Sequence, residues 1–199
     1  TEFGLLQKKG IIAFTDGIKS IQNSRLMSRV MRSAFDLDCL IMQHAEDSEL
    51  SKNGMMNDGA IATKLGLQGI PDVAEKIIIE RDLSLLEDFN CRYHISQISS
   101  SKSLDVIYKK KDQINFTSGV SVNNLSLNEN DIGDFRTFLK LSPPLRTEDD
   151  RQALIDGINK ELIDVIVSDH KPEDEESKRL TFSQAATGAS GIETLLPLS

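Results

Sequence analysis

The chain of 199 residues has no apolar run approaching the roughly 18 residues that a membrane-spanning helix needs, which excludes a span. It has no basic excess. Lys and Arg number 23 against 31 Asp and Glu, a formal net charge of −8, and this argues against nucleic acid or an anionic membrane surface as main partner. Only two cysteines occur, Cys39 and Cys91, too few for a disulfide framework or a cysteine-rich zinc site, so a reducing cytoplasm is expected. No signal peptide opens the chain, and no initiator Met: it begins Thr1-Glu2-Phe3 and stops at Pro197-Leu198-Ser199, inside an apolar run. Both ends are expected to be cut from something longer. No linker of disordered composition divides it, so one incomplete domain is expected over residues 1–199.

What is present is an alternation. Apolar, β-branched runs (Gly10 to Phe14, Cys39 to Met42, Arg92 to Ile98, Ile114 to Val122 and Asp164 to Val167) alternate with stretches of helical period. Leu26, Val30 and Ala34 run beside Met27, Met31 and Phe35; Pro71 opens a helix with Ala74, Ile78, Leu85 and Phe89 on one face. A third helix carries Leu104, Val106 and Ile107, and Thr147 with Asp150 forms a capping-box pattern for a fourth. The segment from Ala45 to Gly69 reads as polar loop, 171–179 as a solvated charged loop, and Ile192 to Leu198 as a helix. Fully apolar strands between helices predict a parallel α/β sheet. Five strands are too few for a closed eight-unit barrel, which takes about 250 residues. A doubly wound sheet is the other arrangement, but no Gly-x-Gly-x-x-Gly or Walker-type loop follows any strand to cradle a nucleotide phosphate.

In parallel α/β folds chemistry sits at the carboxyl ends of strands, where the loops converge. Asp16, His44, His94 and the pair Asp169-His170 all fall at or near such ends, and they include all three histidines of the chain. Taken singly, each reads as a turn or cap residue. Together, imidazole and carboxylate are what a zinc-like ion requires, and a metal that acidifies bound water beside a proton-carrying Asp suggests assisted hydrolysis.

Longer motifs sharpen this. Gln43-His44-Ala45-Glu46-Asp47, then Leu65 to Pro71 with Glu75 and Arg81-Asp82, then Ser142-Pro143-Pro144-Leu145-Arg146, then Ser168-Asp169-His170-x-Pro172, and last Gly188-x-x-Gly191-Ile192-Glu193-Thr194 occur in that order. Over about Gly10 to Leu198 this series resembles the class I dihydroorotases of the amidohydrolase superfamily. The resemblance implies a zinc-dependent (β/α)₈ barrel of TIM type, with about five of eight strand-helix units present. The implied reaction interconverts carbamoyl-aspartate and dihydroorotate in pyrimidine synthesis. It implies His44 and Asp169 as metal ligands, Asp169 also as the catalytic proton carrier, and Ser142, Glu173 and Gly188 at substrate-facing positions.

At five places the chain departs from the pattern, one of them Ser142, where the family has Asn before Pro-Pro-Leu-Arg. The bridging-carboxylate position is Gly17, with Asp16 beside it as a further candidate ligand, and a ligand-histidine position is Gln97, leaving His94 as the non-ligand of its pair. Gln offers one amide oxygen, a poorer zinc donor than imidazole. The usual His of the Asp-His-x-Pro-His run is Glu173, whose charge would repel a dicarboxylate. Around Val122-Asn123-Asn124 the family's Pro-His-His is replaced, and its upstream His-x-His pair and Arg are not in this chain.

Three readings follow: a dihydroorotase with an altered site; a degenerate pseudo-dihydroorotase that supports aspartate carbamoyltransferase; and, ranked last, an allantoinase or hydantoinase. A homo-oligomeric full-length protein is expected, and the piece on its own is expected to be inactive and to associate through its uncovered edges. Lys109 to Lys111 read as a solvated helix end, Met27, Met31, Met55 and Met56 as core fillers, and the two cysteines as structural.

Overall fold

The computed structural model describes residues 2–198. After a short helix α1 (Phe3–Gln7), strand β1 (Ala13–Phe14) leads through helix α2 (Ser24–Asp36) to β2 (Leu40–Gln43). An excursion follows: β3 (Met56–Asn57), α3 (Ala60–Leu65) and β4 (Gly69–Ile70). The main alternation resumes with α4 (Val73–Phe89), β5 (Arg92–Ile98), α5 (Ser101–Lys110) and β6 (Thr117–Ser121). Helix α6 (Val122–Ser126) and two 3₁₀ turns precede α7 (Glu148–Asn159), β7 (Val165–Val167), α8 (Glu175–Lys178) and α9 (Leu195–Leu198).

The main sheet is parallel and runs β1-β2-β5-β6-β7. Spatial order therefore follows chain order. A doubly wound sheet reverses at a switch point; this one does not, so it is an arc of a singly wound barrel. Helices α2, α4, α5 and α7 pack each against the next along the arc. Between helices and sheet lies the main core, where Met27, Met31, Ile79, Leu83, Ile95, Ile98, Ile107 and Val120 are fully buried. Caps define the helix starts: Asn23 accepts from Leu26 N at 2.9 Å, and Thr147 and Asp150 cap each other's backbone N–H groups in the box that the sequence predicts.

Several expectations are corrected. The Ala45–Gly69 segment is not loop throughout, because the β3–β4 pair and α3 seat Met56 and Ala62 in a second core with Ile132, Leu141, Leu145 and Phe182. The fourth strand ends at Ser121, whose side chain caps α6 by accepting from Asn123 N at 3.1 Å, so Val122 is already helical. On α4, Leu85 and Phe89 are only partly buried; the inner face instead carries two carboxylates, Glu75 and Asp82. The 171–179 segment holds helix α8, with Lys178 buried on the carbonyls of Thr137 (3.1 Å) and Ala186 (2.8 Å). The C-terminal helix covers only Leu195–Leu198, and Ile192 is exposed.

Other readings hold. Met27, Met31 and Met56 are core, and Cys39 and Cys91 are buried just before adjacent strands. Of Lys109 to Lys111 only Lys109 is exposed, while Lys110 and Lys111 are partly buried and pair with Glu87 and, at 2.7 Å, Asp164. No helix among the described residues is long and apolar enough to cross a membrane.

Candidate active site

The carboxyl ends of the strands open onto a cleft of about 350 Å³. From the strand ends come Gly17 and Ile18 after β1, His44 after β2, Ser96 and Gln97 on β5, and Asp169 after β7. The rim across from them is built by Ser142, Lys171, Thr187 and Gly188, with Glu46 at one side. Consecutive strand residues ordinarily point to opposite faces. Ser96 and Gln97 both reach the cleft because the β5–β6 register shifts between Ile95 and Ile98, a bulge that re-aims them. Gly119 permits this, since a Cβ there would stand 2.5 Å from the Ser96 carbonyl oxygen.

His44 is buried, and its Nε2 has no hydrogen-bond partner among the described residues. Such an orphan is uncommon, because buried polar atoms are nearly always paired. Burial raises the Asp169 carboxyl above its ordinary value, an effect that the Gln97 amide, the His44 ring and the Lys171 ammonium only partly offset. Its backbone is left-handed, with φ +47°, which turns the residue off the end of β7.

The expected residues divide. His44, Asp169, Gly17, Gln97, Ser142 and Gly188 share the cleft. Asp16 does not: it is exposed and borders a separate hollow between α1, β1 and α2. Glu173 also stays off the lining, and its carboxylate lies 3.4 Å from the Lys171 ammonium. His94 is buried outside the cleft with Nδ1 2.8 Å from Thr117 Oγ1, and desolvation lowers its pKa, which disfavours the charged ring. In His170, Nδ1 accepts the N–H groups of Gly191 (3.2 Å) and Ile192 (3.3 Å), which clamps the glycine-containing segment against the end of β7.

Beneath the cleft lies a buried polar network. Arg146 donates to Ser99 Oγ at 3.1 Å, Asn57 Oδ1 at 2.9 Å and the Ile70 carbonyl at 2.5 Å. Glu75 accepts from the N–H groups of Ser99 and, at 3.3 Å, Ser100, while Asn57 donates to Glu129 at 2.7 Å. The Pro-Pro-Leu-Arg motif thus ends in a structural clamp that ties the β3–β4 excursion to α4 and β5. Sequence reasoning saw Arg146 and Glu75 as motif members without this role, and it missed Lys171, Glu46 and Ser96 as lining. The one available signal was Lys171's place two residues after Asp169.

Zinc takes about four donors, at least three from protein in a working site. Among the described residues no cluster of three or more His, Cys, Asp or Glu is arranged to hold a metal ion. His44 and Asp169 are two donors, with Gly17 and Gln97 where a carboxylate and an imidazole are expected. This set does not make a zinc site by itself.

Fold and cleft together define the class: a (β/α)-barrel arc whose polar cleft sits at the carboxyl ends. Solved structures agree on the fold. A D-hydantoinase from Bacillus sp. AR9 superposes with a TM-score of 0.81 over 97% of this chain and 46% of its own, at 17% identity. A dihydroorotase from Saccharomyces cerevisiae in complex with 5-fluoroorotic acid gives 0.73 over 98% of this chain and 55% of its own, at 13% identity. Sequence carries the relation further. Residues 1–103 match the dihydro-orotase-like family, and the chain belongs to that family. Dihydroorotases of Ehrlichia canis (40% identical over 201 residues) and Desulforapulum autotrophicum (38% over 199) match all of this chain, which covers 45% and 47% of them. The chain thus spans about half the length of the curated relatives it matches.

Proposed function

We propose that the complete protein is a dihydroorotase-like cyclic amidohydrolase, interconverting carbamoyl-aspartate and dihydroorotate in a cytoplasmic route to pyrimidines. The observation that carries the reading is the shared cleft of His44, whose buried Nε2 has no partner among the described residues, and Asp169, whose carboxyl is shifted upward, in a chain 40% identical to a dihydroorotase. Ring opening adds water across an amide C–N bond. Asp169 takes the proton of the attacking water and delivers it to the departing ring nitrogen. In cyclisation it takes the proton from the carbamoyl nitrogen and returns it to the departing oxygen. A raised pKa suits both directions, since proton transfer is most effective when the group's pKa lies closer to working pH. Zinc belongs to the reading only as an ion needing donors beyond this chain, because His44 and Asp169 supply two.

A second reading rests on Gly17 and Gln97: a barrel without turnover that assembles with aspartate carbamoyltransferase. The test is cyclisation of carbamoyl-aspartate by the complete protein, with elemental analysis for zinc, in wild type and Asp169→Ala. Turnover lost in the variant supports the amidohydrolase. Full activity of Asp169→Ala sinks the assigned role, and no metal and no turnover, with co-elution of the carbamoyltransferase, favours the second reading.

A further inference from the structure

We propose that Lys171 is the residue by which this cleft selects a carboxylate-bearing ring over the same ring without one; the inference rests on the cyclic-amide reading above. Three observations carry it.

The first is charge. Among the described residues the charged side chains lining the cleft are Lys171, Glu46 and Asp169, so the lysine is the one cationic side chain among them that can attract an anionic ligand.

The second is positioning. Lys171 N donates to the Ala189 carbonyl at 2.9 Å and its Nζ to the Thr187 carbonyl at 2.7 Å, so both ends of the residue are tied to the rim segment. Gly188 lies between these two points with φ +139°, and a Cβ on it would stand 3.0 Å from Lys171 Cγ and Cδ. The lysine stem lies across bare backbone, and Gly188 serves as its slot. An ammonium so held spends little further conformational entropy on binding.

The third is the partner. The Nζ has three N–H donors; Thr187 takes one, and Glu173 Oε1, at 3.4 Å, is a loose second contact. The third donor has no protein partner among the described residues. The Glu173 charge, which on sequence grounds would repel an acidic substrate, is instead drawn to the lysine and held off the lining. Lys171 and Glu173 work as a pair, the first facing the ligand and the second orienting it.

The test uses two rings that are not turned over, 5-fluoroorotate and 5-fluorouracil, which differ by the carboxylate. Binding to the complete protein is measured by calorimetry in wild type, Lys171→Met and Lys171→Arg. The methionine keeps the stem over Gly188 and removes the charge. Wild type is expected to prefer fluoroorotate, with affinity that falls as salt rises. Lys171→Met is expected to bind fluoroorotate about tenfold more weakly, as for loss of one half-exposed charge-assisted hydrogen bond, with fluorouracil unchanged; Lys171→Arg is expected to restore most of the preference. An undiminished preference in Lys171→Met overturns the proposal, as does an equal loss for both rings, which marks a merely structural lysine. Equal wild-type affinity for the two rings overturns it while leaving a cyclic-amide site standing. Binding of neither ring overturns it together with the functional reading. If Lys171→Met fails to fold, a wild-type preference for fluoroorotate that is insensitive to salt refutes it instead.

Discussion

Arg146 gives the sharpest test of the architecture. The side chain is 3% exposed and donates to Asn57 Oδ1, the Ile70 carbonyl and Ser99 Oγ. Arg146→Met keeps the volume of the stem and removes every donor. Ser99 Oγ still donates to Glu75 and the Ile70 carbonyl still accepts from Asp58 N at 3.1 Å, so those losses are small, but Asn57 Oδ1 becomes a buried acceptor without a partner. Such an orphan costs about 1–3 kcal/mol, and Ser99 and Asn57, which donate to Glu75 and Glu129, lose the guanidinium that holds them in place. The loss is about 1–3 kcal/mol, a sizeable part of the roughly 5–15 kcal/mol typical of a folded protein. Urea unfolding of the complete protein, followed by far-UV circular dichroism, is expected to show a lower midpoint with unchanged slope. Arg146→Lys should recover only part of the loss, since one ammonium cannot span the forked contacts. A loss below about 1 kcal/mol in Arg146→Met would refute the clamp, because the orphaned acceptor alone costs at least that.

Other outcomes follow from single groups. Since burial raises the Asp169 carboxyl, the folded state holds its proton more tightly than the unfolded chain, and ionised Asp169 weakens the fold as pH rises from the ordinary carboxylate range through the raised value. Asp169→Asn should therefore be more stable than wild type by a margin that widens across that window and then levels, measured by urea midpoints at a series of pH values; a constant margin contradicts the shift. Burial pushes the Cys91 thiol up to about 11 and Cys39 is also buried, so neither should react with a disulfide reagent at neutral pH until denaturant is added. Glu148 is held down at about 2 by hydrogen bonds from Arg151, Gln152 and Asn128, so its carboxyl carbon should titrate there by NMR and move up in Arg151→Ala. The 199-residue piece prepared alone should self-associate with concentration, because β1 and β7 each pair on one side only and Ile12, Val165 and Leu196 are exposed; a monodisperse monomer in sedimentation would count against this.

Local chemistry was readable in the chain itself. Runs of apolar residues placed the five main strands, and the Thr147–Asp150 box marked the start of α7, because both depend on neighbours within a few positions. Order along the chain also allowed the barrel arc, and the motifs named His44 and Asp169, since strand ends face one side in any parallel α/β sheet. What only the tertiary structure decided was which side chains share a space. The bulge that turns both Ser96 and Gln97 inward depends on the approach of Gly119 from the next strand. The seating of Arg146 depends on acceptors 76 and 89 positions away in sequence, and Asp16 and Glu173 leave the cleft for a neighbouring hollow and a lysine respectively. Periodicity reports which face of an element is buried, but not which polar atom from a distant segment will meet it there, and that meeting makes the cleft and sets Lys171 in its lining.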